Sequence, residues 1–204
     1  MLEQIENALA KLKATGKRNF VQTIDLIISL KGIDLKKAEN KFSEDLVLPH
    51  GRGKEAAIVV FSDNLSNLGC EILTSSDIQR IAADKREAKN LGEDTDFFLS
   101  EAPLMPLIGK SLGQILAPRG KMPKVISGDV KKLVEDYKKS VRIAVKNAPV
   151  IQCFVGKEDT ETRKITENVE AVLKFLETKL PRGRQNIGKI LLKLTMSKPV
   201  KVGI

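Results

Sequence analysis

The chain has 204 residues, 42% of them hydrophobic, which is enough to bury one large core or two small ones and excludes global disorder. Lys and Arg number 35 against 26 Asp and Glu, a formal charge of +9 that favours a polyanionic partner such as nucleic acid. The first fifteen residues alternate charged and apolar positions and no apolar run is long enough to span a bilayer, so neither a signal peptide nor a membrane segment is expected.

Leu2, Ile5, Leu9 and Leu12 recur at helical spacing, predicting an amphipathic helix that ends near Gly16. Residues 20–30 read as a strand with Ile24, Leu26 and Ile28 on one face and Val21, Thr23, Asp25 and Ser29 mainly on the other, the pattern of a sheet with one polar face. Asp34 is placed to cap a short helix running to Asn40, and a strand over 46–48 stops at Pro49. Beyond the loop His50-Gly51-Arg52-Gly53-Lys54 the texture changes to continuous apolar runs, 57–61 and 95–99, with a short strand at 70–73. Helices are expected over 63–68, 75–84, 107–116 and 129–139, so this stretch reads as a small parallel α/β unit. From Val141 the alternation returns. Strands at 141–146 and 151–155 flank Asn147-Ala148-Pro149, which reads as a hairpin connection. Ile165, Val169, Val172, Leu173, Leu176 and Leu180 then mark a helix stopped by Pro181. A last strand, 189–196, sets Ile190, Leu192 and Leu194 against Lys189, Lys193 and Thr195.

The two ends share one architecture and the middle has another. The expected organisation is an outer α+β domain of antiparallel sheet with covering helices, residues 1–55 and 141–204, and an inserted Rossmann-like parallel α/β domain, residues 56–140. Charge separates along the same line. Residues 56–140 hold 12 basic and 12 acidic side chains, leaving 23 against 14 in the flanks, and a localised excess is a better footprint of phosphate binding than a diffuse one.

Local motifs give little support to catalysis. Gly109-Lys110-Ser111 ends like a phosphate-binding P-loop, but Leu104 stands where the motif needs its first glycine. Ser62-Asp63-Asn64 follows the apolar run 57–61 where a dinucleotide fold would place a glycine-rich turn. His50 is the one histidine and has no Cys or Ser near it, and Glu93, Asp94 and Asp96 read as a solvated loop. Cys70 and Cys153 lie far apart in apolar strand-like runs, as buried free thiols rather than a disulfide or metal pair. Gly51 and Gly53 suit an interdomain hinge, with motion about the crossings at 54–56 and 140–141; backbone wrapping of a phosphate is the alternative. With no Trp and one Tyr, binding is expected to rest on the shape, phosphates and sugar hydroxyls of folded RNA rather than on broad base stacking.

One stretch is specific. Residues 108–124, Ile-Gly-Lys-Ser-Leu-Gly-Gln-Ile-Leu-Ala-Pro-Arg-Gly-Lys-Met-Pro-Lys, resemble the signature of the L-one family of large-subunit ribosomal proteins, a helix entering the loop Pro118-Arg119-Gly120 and closing at Pro123. Residues 20–30, 47–54 (Val-Leu-Pro-His-Gly-Arg-Gly-Lys) and 195–201 (Thr-Met-Ser-Lys-Pro-Val-Lys) agree in order, so the resemblance spans nearly the whole chain. The Lys-Pro-Val-Lys ending and short N-terminus look archaeal. The resemblance implies a cytoplasmic, ribosome-bound protein without cofactor or metal, monomeric when free of the ribosome, that binds large-subunit rRNA at the mobile stalk. Deacylated tRNA at the exit site would be its neighbour and its own mRNA a second target, for translational repression. It also implies RNA contacts at Phe20, Thr23, Asp25, Thr195, Met196 and Ser197, with Arg18, Lys193 and Lys198 as candidate phosphate contacts; for Phe20 and Met196 the alternative is core packing. Two positions depart from the family pattern. Ser197 stands for a glycine that would allow closer backbone approach to RNA, and Lys189 for a serine, which exchanges a sugar contact for a phosphate contact. The competing reading is a nucleotide- or small-molecule-binding enzyme built on the central unit.

Overall fold

A computed structural model describes residues 2–14, 18–37, 40–66 and 68–202. In chain order the elements are α1 (Leu2–Ala14), β1 (Thr23–Leu30), β2 (Phe42–Val47), β3 (Ile58–Phe61), β4 (Glu71–Leu73), α2 (Ser75–Ala83), α3 (Lys85–Asp94) and β5 (Phe97–Ser100). They continue with α4 (Met105–Ser111), α5 (Gly113–Arg119), β6 (Lys124–Val125), α6 (Val130–Lys138), β7 (Ser140–Val145), β8 (Val150–Lys157), α7 (Thr162–Lys179), β9 (Ile187–Leu194) and β10 (Val200–Val202). The fold is mixed α/β with antiparallel and parallel sheets, and contacts group it into two compact units, Met1–Glu55 with Lys139–Ile204, and Ala56–Lys138. The second junction falls two residues before the expected one because Ser140 already pairs with Val47 as the first residue of β7.

The first unit is built on an antiparallel sheet ordered β10-β9-β1-β8. Strict alternation in β1 buries Ile24, Leu26, Ile28 and Leu30, and β9 buries Ile190, Leu192 and Leu194 on the same side. These pack into one core with Ile5, Leu9 and Leu12 of α1 and Ile165, Val169, Val172 and Leu176 of α7. Two helices thus cover one face of the sheet, and the residues between the buried ones turn outward. A second sheet of two strands pairs β2 with β7, Asp45 facing Arg142 with Oδ1 3.0 Å from Nε. The hairpin expected at 147–149 is therefore not formed. β7 pairs with β2, while β8 starts afresh against β1, with the Leu30 N–H donating to the Pro149 carbonyl at 2.7 Å. The stop expected for α1 near Gly16 lies outside the described residues. Of the helix expected over 34–40, the described part is a turn in which Asp34 Oδ1 accepts from the Lys36 N–H; residues 38 and 39 lie outside the description.

The second unit is a parallel sheet ordered β4-β3-β5-β6. Every residue of β3 and β5 is buried because both faces are covered. Val59, Phe61 and Phe98 pack on one side with Ile78, Ile81, Ile108 and Leu116, and Ile58, Val60, Phe97 and Leu99 on the other with Val134. Residues 63–66 and 68 are not helical as expected, since the Ser62 hydroxyl accepts from the Asn64 and Leu65 N–H groups and replaces helical bonding with a side-chain turn. The helix expected over 107–116 is two helices, α4 and α5, meeting at Leu112.

Candidate nucleic-acid interface

The outward face of the antiparallel sheet carries Thr23, Asp25, Ile27 and Ser29 from β1, Lys189, Leu191 and Lys193 from β9, and Gln152 and Phe154 from β8. At one end, Thr23 and Thr195 meet across 172 positions of sequence. Their hydroxyl oxygens are 2.9 Å apart, and each backbone N–H bonds to the other residue, Thr23 N–H to Thr195 Oγ1 and Thr195 N–H to the Thr23 carbonyl, both at 3.2 Å. Thr195 and Met196 lie beyond the end of β9, in a turn that Ser197 closes by accepting the Leu194 N–H at 2.9 Å through Oγ. The serine found where the family pattern has glycine thus shapes its own turn. Gln22, buried in this corner, accepts the Met196 N–H at 3.1 Å and donates to Glu158 at 3.3 Å, fixing the turn against the end of β8. Nothing local marks Gln22 in the sequence; its role depends on partners 136 and 174 positions away.

Phe20 and Met196 are 53% and 61% exposed, so the packing alternative fails for both. Phe20 lines a shallow cleft with Arg18, Asn19, Val21, Glu158 and Asp159, while Lys198 follows the turn and is exposed. Asp25 faces Lys193 across β1 and β9, and Phe154 across β1 and β8. Burial raises its carboxyl above the ordinary carboxylate range, an effect the Lys193 ammonium partly offsets, and Oδ1 is buried without a hydrogen-bond partner. Lys189 shares the face but not the cluster. Six residues of strand, about 20 Å, separate it from Thr195, and its backbone N–H donates to Ser29 Oγ at 2.7 Å.

Gly51 and Gly53 have φ of +65° and +83° and both belong to the first unit. Asn168 of α7, fully buried, accepts the His50 N–H at 3.1 Å and donates to the carbonyls of Gly51 and Val155 at 2.8 and 2.9 Å. A Cβ at Gly53 would lie 2.8 Å from Lys157 Cγ. The loop is therefore laid along β8 and tied to it. His50 pairs with Glu167, Nε2 to Oε2 at 2.5 Å, and this bond, helped by Arg163, lowers the Glu167 carboxyl.

The signature segment does something different. Arg119 donates to the Lys89 carbonyl and pairs with Glu93, and Lys121 Nζ donates to the carbonyls of Gly92, Glu93 and Thr95 at 2.9, 3.3 and 2.6 Å. Both cations thus satisfy carbonyls at the end of α3, as a helix C-terminus favours. Burial pushes the Cys153 thiol up to about 12 with the Asp25 charge adding to it, so it is an inert core group. Among the described residues no three His, Cys, Asp or Glu side chains cluster as a metal site, and no helix is long and apolar enough to cross a membrane.

Fold and site together define a class, a basic two-unit α/β protein that presents a polar, lysine-bearing sheet face ending in a threonine pair. The family profile described as "Ribosomal protein L1p/L10e family" matches residues 12–198. The Large ribosomal subunit protein uL1 of Thermococcus kodakarensis is 41% identical, over 98% of this chain and 97% of the relative. Those of Methanocaldococcus jannaschii and Methanobrevibacter smithii are 41% and 36% identical, over 98% and 99% of this chain and 95% and 100% of theirs. The chain belongs to the L1p/L10e family of ribosomal proteins, which is not a family of enzymes, and these archaeal relatives agree with the archaeal character of its C-terminal segment.

Proposed function

We propose that this protein is a structural component of the large ribosomal subunit that binds rRNA through the outward sheet face and the Thr23–Thr195 corner. The observation that carries the reading is that corner. Two chain segments distant in sequence are fixed by reciprocal hydrogen bonds, leaving exposed Phe20 and Met196 beside them on a lysine-bearing face. Rigid, prepositioned polar groups are what recognition of folded RNA by sugar and phosphate contacts requires. With the observed boundaries, the first unit holds 24 Lys and Arg against 14 acids and the second 11 against 12, so the excess charge belongs to the unit that carries the proposed face.

Finer parts of the reading follow from the family resemblance. The bound rRNA lies at the mobile stalk near the tRNA exit site, where deacylated tRNA passes, and the protein's own mRNA is a second target, bound to repress translation. Phe20, Thr23, Asp25, Thr195, Met196 and Ser197 contact RNA, with Lys189, Lys193, Arg18 and Lys198 at phosphates. The protein works in the cytoplasm bound to the ribosome and is a monomer away from it. The two units act as separate domains, the second Rossmann-like, and move about the crossings. Gly51 is tied through Asn168 and Gly53 packs on Lys157, so this motion centres on 54–56 rather than on the glycines. Protection mapping tests the reading. Large-subunit rRNA transcribed from the Methanocaldococcus jannaschii sequence should show one compact protected region that needs a higher protein concentration with Thr195→Ala; diffuse protection, or protection unaffected by that change, refutes it.

A further inference from the structure

One aromatic ring on the outward face plays no part in the threonine corner. Phe154 is 47% exposed, although the chain has only 7 Phe and one Tyr with which to build two cores. Alternation along β8 turns it outward, with Cys153 and Val155 buried on either side. Two groups face it. Asp25 is its direct cross-strand neighbour, half-buried with Oδ1 shielded from solvent, so a ligand on this face would meet Oδ2. The Arg52 guanidinium stands 6.0 Å from the ring centre. This approach is built in, because the loop carrying Arg52 is tied to β8 through Asn168 on one side and the Gly53–Lys157 packing on the other.

We propose that Phe154 and Arg52 form a seat for a single unstacked nucleobase of the bound RNA, the base lying between ring and guanidinium with Asp25 as an acceptor for the same nucleotide. The inference rests on reading this face as the RNA interface. Bases freed from a helix stack on aromatic rings and on guanidinium planes alike, and every base has a π-face to offer. A base sandwiched between two such groups needs about 7 Å, twice a ~3.5 Å contact distance. The present gap opens to that by about 1 Å, well within the reach of an arginine side chain. Paired bases in a duplex offer no free face, so the seat selects a bulged, looped or flipped nucleotide. The carboxylate repels phosphate but accepts from a 2′-hydroxyl or an exocyclic amino group, while Lys193, opposite Asp25, is placed for the adjoining phosphate.

The absence of Trp from the chain makes the test direct. Phe154→Trp introduces a single fluorophore at the seat, and the protein is titrated with Methanocaldococcus jannaschii large-subunit rRNA and, separately, with heparin, a polyanion without bases. The rRNA should quench the tryptophan at saturation, while heparin leaves its emission unchanged. Phe154→Leu should bind the rRNA about tenfold more weakly, about 1.4 kcal/mol, with an unaltered salt slope and an unaltered melting temperature. Unchanged emission on rRNA binding, equal quenching by heparin, or equal affinity of Phe154→Leu would overturn the seat while leaving the RNA interface standing. Failure of the wild-type protein to bind the rRNA would instead remove the interface itself, and the seat with it.

Discussion

The two units solve the burial of a sheet in opposite ways. In the second, helices lie on both faces, β3 and β5 are buried throughout, and charges balance at 11 basic to 12 acidic. In the first, helices cover one face alone, every second residue of β1 turns outward, and the basic excess is ten. A sheet covered twice has no open face to offer; one covered once keeps a rigid surface whose side-chain spacing is set by strand register. The contrast separates the two kinds of motif the family carries. Arg119 and Lys121 of the signature are occupied with carbonyls of α3 and hold the doubly covered unit together, whereas the less conspicuous threonines end the open face.

The sharpest way to break this comparison is to separate the units. Each has its own core, so replacing residues 56–138 with a short Gly/Ser linker should leave a folded first unit, checked by circular dichroism. It should keep nearly all the rRNA affinity and the salt slope, where each neutralised phosphate contributes about −0.9 in duplex DNA. The isolated second unit should bind at least about a hundredfold more weakly. A second unit that retains the affinity would mean that the charge map points to the wrong surface.

Next in size is Asn168→Ala, which removes three hydrogen bonds from a fully buried side chain and leaves the Gly51 and Val155 carbonyls without this donor. A loss of about 3 kcal/mol of stability is expected from buried groups left unsatisfied, read by chemical denaturation. Because this loop carries Arg52, rRNA affinity should fall as well; a stable variant with wild-type affinity would show that the loop needs no anchor. Thr195→Ala and Thr23→Ala come third. Both residues are solvent-facing, so the melting temperature should stay within a few degrees while rRNA binding weakens by about 1–3 kcal/mol. Equal affinity in a filter-binding titration would take the pair out of the site.

Much of this is legible in the residues because periodicity reports which face is buried. The alternation of Ile24, Leu26 and Ile28, and the spacing of Ile165, Val169, Val172 and Leu176, translate directly into the observed core. What periodicity misses is informative. α3 buries only Ala88 and Gly92, small residues that let α5 approach closely, with Arg119 Nη1 2.9 Å from where a Gly92 Cβ would stand, so no apolar stripe announces that helix. β10 has three residues, too few to display a period. Pairing is invisible as well. The segment 147–149 looks like a hairpin turn, yet β2 claims β7 and β1 claims β8. The site suffers most from this. Family resemblance nominates Thr23 and Thr195, but their contact, the anchoring by Gln22, and the meeting of Phe154 with Asp25 and Arg52 all depend on register between segments more than a hundred positions apart.

The smallest effect concerns Asp25, where the sign matters more than the size. Burial raises its carboxyl in the folded protein above its value in the unfolded chain, despite Lys193. The folded state therefore binds this proton more tightly than the unfolded state, and the group costs stability when ionised. That cost is fully present at pH values above the raised folded-state value; it fades as the pH falls through it, and is gone below the ordinary carboxylate value. Asp25→Asn keeps the shape and removes the titration, so the free variant should be slightly more stable than wild type at pH 7, with the difference vanishing toward pH 4. Binding should move the other way. An uncharged amide is a weaker acceptor than the carboxylate oxygen that faces solvent, so Asp25→Asn should bind rRNA more weakly at pH 7 even as it melts higher. A surface that gains stability on losing a charge yet loses affinity is one whose strain is kept for a ligand. Thermal melts at pH 4 and 7, paired with filter binding at pH 7, give both signs. If the variant melted lower and bound equally well, Asp25 would be an ordinary structural residue that takes no part in the RNA contact.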